Sequence, residues 1–237
     1  MAYARKKADT GEDGLPTLPI ELRVLNLRLV GDTPLITNAW SEKARNMMRA
    51  KQQKTGLTAR EAKDPSADYR ASLYNHPDGG YGFKAIAFKS AAVTALSQVD
   101  GGLTKVRARG CFHVGDSGSS AELIRIECPN EPRMREDPVR VATGTADLRY
   151  RGEFWPWAAT LRIRYNARSV AVAQLVSLFN LAGFAVGVGE WRPEKDGING
   201  MFHVEPNVGE ADKTVLAAIE ASNRQLGYDV KEQPEAA

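Results

Sequence analysis

The chain has 237 residues, 43% of them hydrophobic and 26% charged, which is enough apolar material for one large domain or two small ones. Its net charge of +3 and pI near 8.8 are too mild to commit it to nucleic acid on charge alone. No apolar run approaches the ~18 residues of a membrane span, no secretory leader is read at the start, and Cys111 and Cys128 fit neither a metal spacing nor a disulfide framework, which predicts a cytoplasmic protein with no membrane partner.

Residues 1–19 are polar, carry glycine and proline, and read as a loosely held arm. IELRVLNLRLVG (20–31) alternates through Leu22 and Val24 and, less cleanly, through Leu25, Leu27 and Leu29, with Arg23 and Arg28 facing water, and predicts a strand. Ser41 is placed to cap a helix running SEKARNMMRAKQQ. Residues 54–82 are long, basic and poor in apolar side chains, and compact domains keep such a segment only where it is functional or mobile. Ile86, Ala87, Val93, Ala95 and Leu96 recur at roughly helical spacing, which predicts a buried helix over 87–99, stopped by Asp100-Gly101-Gly102.

KVRARGCFHVG (105–115) and AELIRIEC (121–128) both alternate, and DSGSS between them predicts a hairpin with the two cysteines as buried free thiols. Residues 129–156 form a proline-broken, arginine-dense insert. AATLRIRYN (158–166) is a clear strand, with Leu161, Ile163 and Tyr165 on one side and Arg162 and Arg164 on the other. SVAVAQLVSLFNLAG (169–183) is a helix with Gly183 as its C-cap, GMFHVEP (200–206) a short strand, and 211–227 an amphipathic helix before an acidic end. One helix set aside as an insertion, the order is β-α-β-β-α-β. The expected fold is therefore α+β, a ferredoxin-like or RRM-like antiparallel sheet with helices on one face, spanning 20–206 with a basic insertion at 49–82 and the arginine-rich one at 129–156.

Catalysis is hard to assemble from these residues. The three histidines, His76, His113 and His203, show no metal-ligand spacing, no cysteine joins them, and no nucleophile elbow is present, so no enzyme, metal or cofactor is expected. NLAGFAVGVGEWRPEKDGINGMFHVE (180–205) holds five glycines, but a helix precedes them and offers its carbonyl end, the wrong pole for phosphate. Two readings remain for this loop. It is a turn with Trp191 packed into the core, or it approaches a sugar-phosphate backbone with Arg192 and Lys195 supplying charge. The sequence favours Trp191 buried and Arg192 and Lys195 offered to a partner.

Arginines are the stronger signal. Arg133, Arg135 and Arg140 lie in the insert, Arg162 and Arg164 share a strand face, and Arg45, Arg49, Lys51 and Lys54 form a basic run. Arginine forks beside Tyr150, Phe154, Trp155 and Trp157 suit single-stranded nucleic acid. Glu131, Glu136, Asp137, Asp147 and Glu153 balance the insert, so a web of ion pairs, within or between subunits, is the competing reading.

TPLITNAWSEKA (33–44), GFKAIAFKSAAVTAL (82–96) and GVGEWRPEKDGINGMFHV (187–204) together resemble the RAMP superfamily, the RNA-binding backbone subunits of CRISPR effector complexes. The resemblance implies that the glycine-rich loop helps hold a nucleic-acid backbone and that copies stack into a filament along the strand. ADYRASLY, EPRMREDPVRV and GVGEWRPEK also resemble a set of uncharacterised tailed-phage proteins, over most of residues 22–205. The expectation is a non-enzymatic binder of single-stranded RNA or DNA that forms homo-oligomers. The alternative is a phage structural or host-interaction protein whose arginine-rich insert is a subunit interface.

Overall fold

The computed structural model describes residues 20–53, 63–99, 102–116, 118, 120, 122–140 and 146–205. The arm at 1–19, Lys54, the helix expected at 211–227 and the acidic end lie outside the described residues.

The architecture is α+β, with two antiparallel sheets. The larger is built on β1 (Leu22–Gly31), which pairs with β8 (Ala158–Asn166) on one edge and β9 (Phe202–Glu205) on the other. The far edge of β8 is shared. β4 (Phe112–Gly115) lies against residues 162–165, and β5 (Leu123–Glu127) lies against 158–159 and carries β3 (Tyr81–Lys84) outside it. All pairs are antiparallel, and the strand order reads β9-β1-β8, then β4 or β5.

The period-two pattern sets the faces. Leu25 stands opposite Ile163 and Leu27 opposite Leu161, and all four are buried. Onto this face pack α3 (Ala85–Ala95) and α5 (Val172–Ala185): the Phe88 ring meets Phe202 at 6.0 Å and the Phe179 ring meets Phe112 at 6.1 Å, both edge to face. The opposite face is bare around the first half of β1, where Leu22 is 63% and Val24 48% exposed. Of the two apolar series in this strand, the Leu25 series therefore faces the core and the Leu22 series faces out.

Several expectations are corrected. Residues 105–111 are a helix, α4 (Lys105–Cys111), because the Thr104 hydroxyl accepts the Arg107 N–H at 3.3 Å and opens a turn that buries Ala108 and Cys111 three apart. No hairpin joins 105–115 to 121–128, since β4 and β5 both pair with β8. The helix expected at 87–99 starts at Ala85, and Leu96–Gln98 finish it as a tighter turn, with Ile86 outward at 62% exposure. The helix near Ser41 forms as α1 (Glu42–Gln52). The segment 54–82 is not one long loop. It contains α2 (Pro65–Ser72), whose first amides at Ser66 and Ala67 bond to the Asp64 carboxylate, and the start of β3.

The arginine-dense insert is an ordered hairpin. β6 (Arg133–Arg140) and β7 (Ala146–Phe154) pair along their lengths, and β2 (Leu35–Thr37) joins β7 to complete a second sheet of three strands. Gly183 is not a C-cap. It lies inside α5, where any Cβ would land on the Phe202 carbonyl, and the left-handed residue past the helix is Gly187 (φ +68°).

Candidate nucleic-acid interface

β8 carries the clearest cationic surface. Alternation places Arg162 and Arg164 on the bare face, both exposed, with neither in an ion pair among the described residues. Asn26 and Val24 of β1 stand beside them on one side, and Gly115 and His113 of β4 on the other. No carboxylate comes from these neighbours. Burial, then Lys89 and Arg164, hold the His113 pKa below its ordinary value.

Further along the same face the charges are already matched. Arg28 donates to Glu127 at 2.5 Å and to Glu205 at 3.1 Å. Burial works against its charge, yet the two carboxylates outweigh that and raise its pKa.

The insert arginines behave differently from Arg162 and Arg164. Arg133 pairs with Glu153 at 2.6 Å, and Arg135 bridges Asp137 at 2.7 Å and Glu153 at 3.1 Å. Arg151, 2% exposed, reaches Asp137 at 2.8 Å and Glu190 at 3.2 Å. The Asp137 carboxyl is buried, which would raise its pKa, but Arg135 and Arg151 outweigh burial and hold it below the carboxylate range. This is the web of ion pairs, and it lies within one chain. Arg140 is exposed on β6 and makes no ion pair among the described residues. The aromatics interleaved with these arginines divide. Phe154 and Trp157 are core, Tyr150 is half-buried, and Trp155 is 46% exposed.

Arg45 and Arg49 are exposed on α1, with Arg49 donating to Asn46 at 3.3 Å; Lys51 lies in the last turn of the same helix. Near them, Trp40, Met48, Leu148, Arg149 and Tyr150 line a cleft of about 340 Å³ between α1, α2 and β7. Trp40 is 58% exposed, an aromatic surface that the sequence did not single out, because Trp40 stands alone between two elements.

The glycine-rich loop is tied down rather than reaching out. The Glu190 N–H donates to Ile36 O at 3.0 Å, Gly200 N–H to Pro34 O at 2.8 Å, and Val188 N–H to Gly200 O at 2.9 Å, which docks the loop against the β1–β2 turn and β2. Gly189 (φ +85°) sits where a Cβ would meet the Ile36 carbonyl, so only glycine allows this approach. Trp191 is not buried. It is 43% exposed with φ +55°, and the Gly197 backbone packs directly against its own. Arg192 folds back onto Glu194 at 2.6 Å and onto the Gly189 carbonyl at 3.1 Å, while Lys195 is exposed.

The three histidines are spread over the fold. His113 is exposed on β4. His203 Nδ1 lies 2.7 Å from Asp32 Oδ1. His76 is buried in the turn before β3, beside Asp78 and Asp116, a grouping that spacing along the chain did not reveal. Cys111 is buried, which raises its thiol pKa, and Cys128 is half-buried; both are free. None of the described helices is long and apolar enough to cross a membrane.

Neither a scan against protein-family models nor a search of curated proteins finds a match for this chain.

Proposed function

We propose that the protein is a non-enzymatic binder of single-stranded RNA or DNA whose primary contact is the bare face of the larger sheet. The observation that carries this reading is the pair Arg162 and Arg164, exposed, unmatched by carboxylates among the described residues, and set beside apolar Leu22 and Val24. A strand of phosphates supplies the missing counter-charge, and sugars and bases cover the apolar side chains. The strand order, with α3 and α5 on one face, supports a ferredoxin-like arrangement, in which the free sheet face is available to a ligand. Lys195, Arg45 and Arg49 remain exposed to extend the contact along a longer strand, and the RAMP resemblance supports copies arranged side by side on it.

Fluorescence anisotropy with labelled single-stranded 30-mers tests the reading. Micromolar binding that weakens steeply with salt, and that is lost in the double variant Arg162→Glu/Arg164→Glu, is the expected result. Binding that is absent at low salt, or that is indifferent to the double variant, refutes it, because phosphate contacts release counterions and must show in the salt slope.

A second reading, assembly with other copies or with a phage or host protein, is favoured by one observation. Trp40, Met47, Met48 and Leu148 are each more than two-fifths exposed, and Trp40, Met48 and Leu148 line one cleft. Size-exclusion chromatography after nuclease treatment separates the two: a defined oligomer that persists without nucleic acid supports assembly.

A further inference from the structure

We infer that His76 and Asp116 bind a divalent transition metal, with Asp78 as the carboxylate behind the imidazole. His76 lies in the turn between α2 and β3. Its side chain is 1% exposed, and Nε2 has no hydrogen-bond partner. A buried ring nitrogen left unpaired is rare and costly, and it asks for a ligand. Nε2 lies 3.5 Å from Asp116 Oδ2, and the Asp116 side chain is itself 7% exposed. That separation is long for a hydrogen bond but suits two atoms on one ion. Nitrogen and oxygen ligands at ~2.0–2.2 Å from a tetrahedral metal stand roughly 3.4 Å apart.

The surroundings are arranged for such an ion. The Gly118 N–H donates to Asp116 Oδ2 at 2.8 Å and fixes the carboxylate. On the other side of the ring, Asp78 Oδ2 is 3.9 Å from Nδ1. The candidate ligand atoms of all three residues fall within 4.8 Å of one another, and no other such group occurs among the described residues. Gly118 also keeps the approach open. A Cβ there would stand 2.6 Å from Asp78 Oδ2 and 2.7 Å from Asp116 Oδ2. The cleft holds about 290 Å³ and is lined further by Arg125, Glu127 and Thr160.

The proton can be followed. The Asp78 N–H donates to Nδ1 at 3.2 Å, which places the ring proton of the neutral imidazole on Nε2. Metal binding at Nε2 shifts that proton to Nδ1, where it faces the Asp78 carboxylate, and the Asp78 amide, at an exposed position, exchanges its long bond for water. The product is a carboxylate–histidine–metal arrangement, with Asp116 as the second protein ligand and water completing the shell.

The test uses the untagged full chain, stripped with chelator and titrated with zinc chloride, read by calorimetry and by long-range ¹H–¹⁵N spectra of the imidazoles. With only His76, His113 and His203 in the chain, each ring is separately visible. A single zinc ion per chain is expected, with the His76 nitrogens shifted and Nδ1 becoming the protonated one. Asp116→Asn and Gly118→Ala are each expected to weaken binding at least about tenfold. Gly118→Ala replaces no ligand residue and acts only by crowding the space between the carboxylates, so it keeps the test decisive if Asp116→Asn fails to fold. Unmoved His76 signals at excess zinc, or equal affinity in the parent and Gly118→Ala, overturns the site.

Discussion

Arg164 stands directly opposite His113 across the β4–β8 pair, with the Lys89 ammonium 3.4 Å from the imidazole Nδ1. Burial, then the two cations, depress the His113 pKa. A histidine whose folded pKa lies below its unfolded value near 6.5 takes up its proton more readily when unfolded, so stability is lost as pH falls through and below that value. An NMR titration is expected to place the His113 midpoint below those of model peptides, and Lys89→Met is expected to raise it. A midpoint unchanged by Lys89→Met would show that burial and Arg164 set it without the ammonium.

The same pair shows how much of the site was readable. The β8 face was legible because period two separates Leu161, Ile163 and Tyr165 from Arg162 and Arg164 without exception. The residues 105–111 were not, because Val106, Ala108 and Gly110 also alternate, and the cap at Thr104 decides for a helix. Which arginines are free was not legible either. Arg133 and Arg135 meet Glu153 only through the register of a hairpin, and Arg192 meets Glu194 within the short turn at 193–195.

That difference separates the arginines by experiment. Arg133→Gln and Arg135→Gln remove charges already answered by carboxylates, so binding to a single strand is expected to change by less than a factor of about two. Arg162→Gln and Arg164→Gln are each expected to reduce the salt slope by about 0.7 per lost phosphate contact. Anisotropy at several salt concentrations reads both, and equal losses from the two groups would move the interface to the insert.

Arg151 is a matter of stability, not binding. Its side chain is 2% exposed and faces Asp137 at 6%. Arg151→Ala leaves a buried carboxylate with one partner fewer, and a loss of about 3–5 kcal/mol in chemical denaturation is expected. Because Arg135 and Arg151 hold the Asp137 pKa below its unfolded value, the carboxylate stabilises the fold above about pH 4, and this is lost as pH falls through the folded pKa. Asp137→Asn is therefore expected to flatten the acid limb of the stability curve, and an acid limb identical to the parent would contradict the network.

Gly183 tests the packing of α5 against β9, and Gly110 in α4 serves as the contrast. At Gly183 the helix lies so close to the last strand that a Cβ would fall on the Phe202 carbonyl, which is backbone and cannot swing aside. Gly183→Ala is expected to cost about 3 kcal/mol or more, and to disturb Phe202, whose ring stacks edge to face with both Phe88 and Trp157. Gly110, inside α4, has open space where its Cβ would go and no left-handed φ. Gly110→Ala is expected to stabilise by up to about 1 kcal/mol, the ordinary helix preference for alanine. Thermal or denaturant unfolding of both variants decides the matter, since a tolerated Gly183→Ala would require α5 to sit further from β9 than the structure places it.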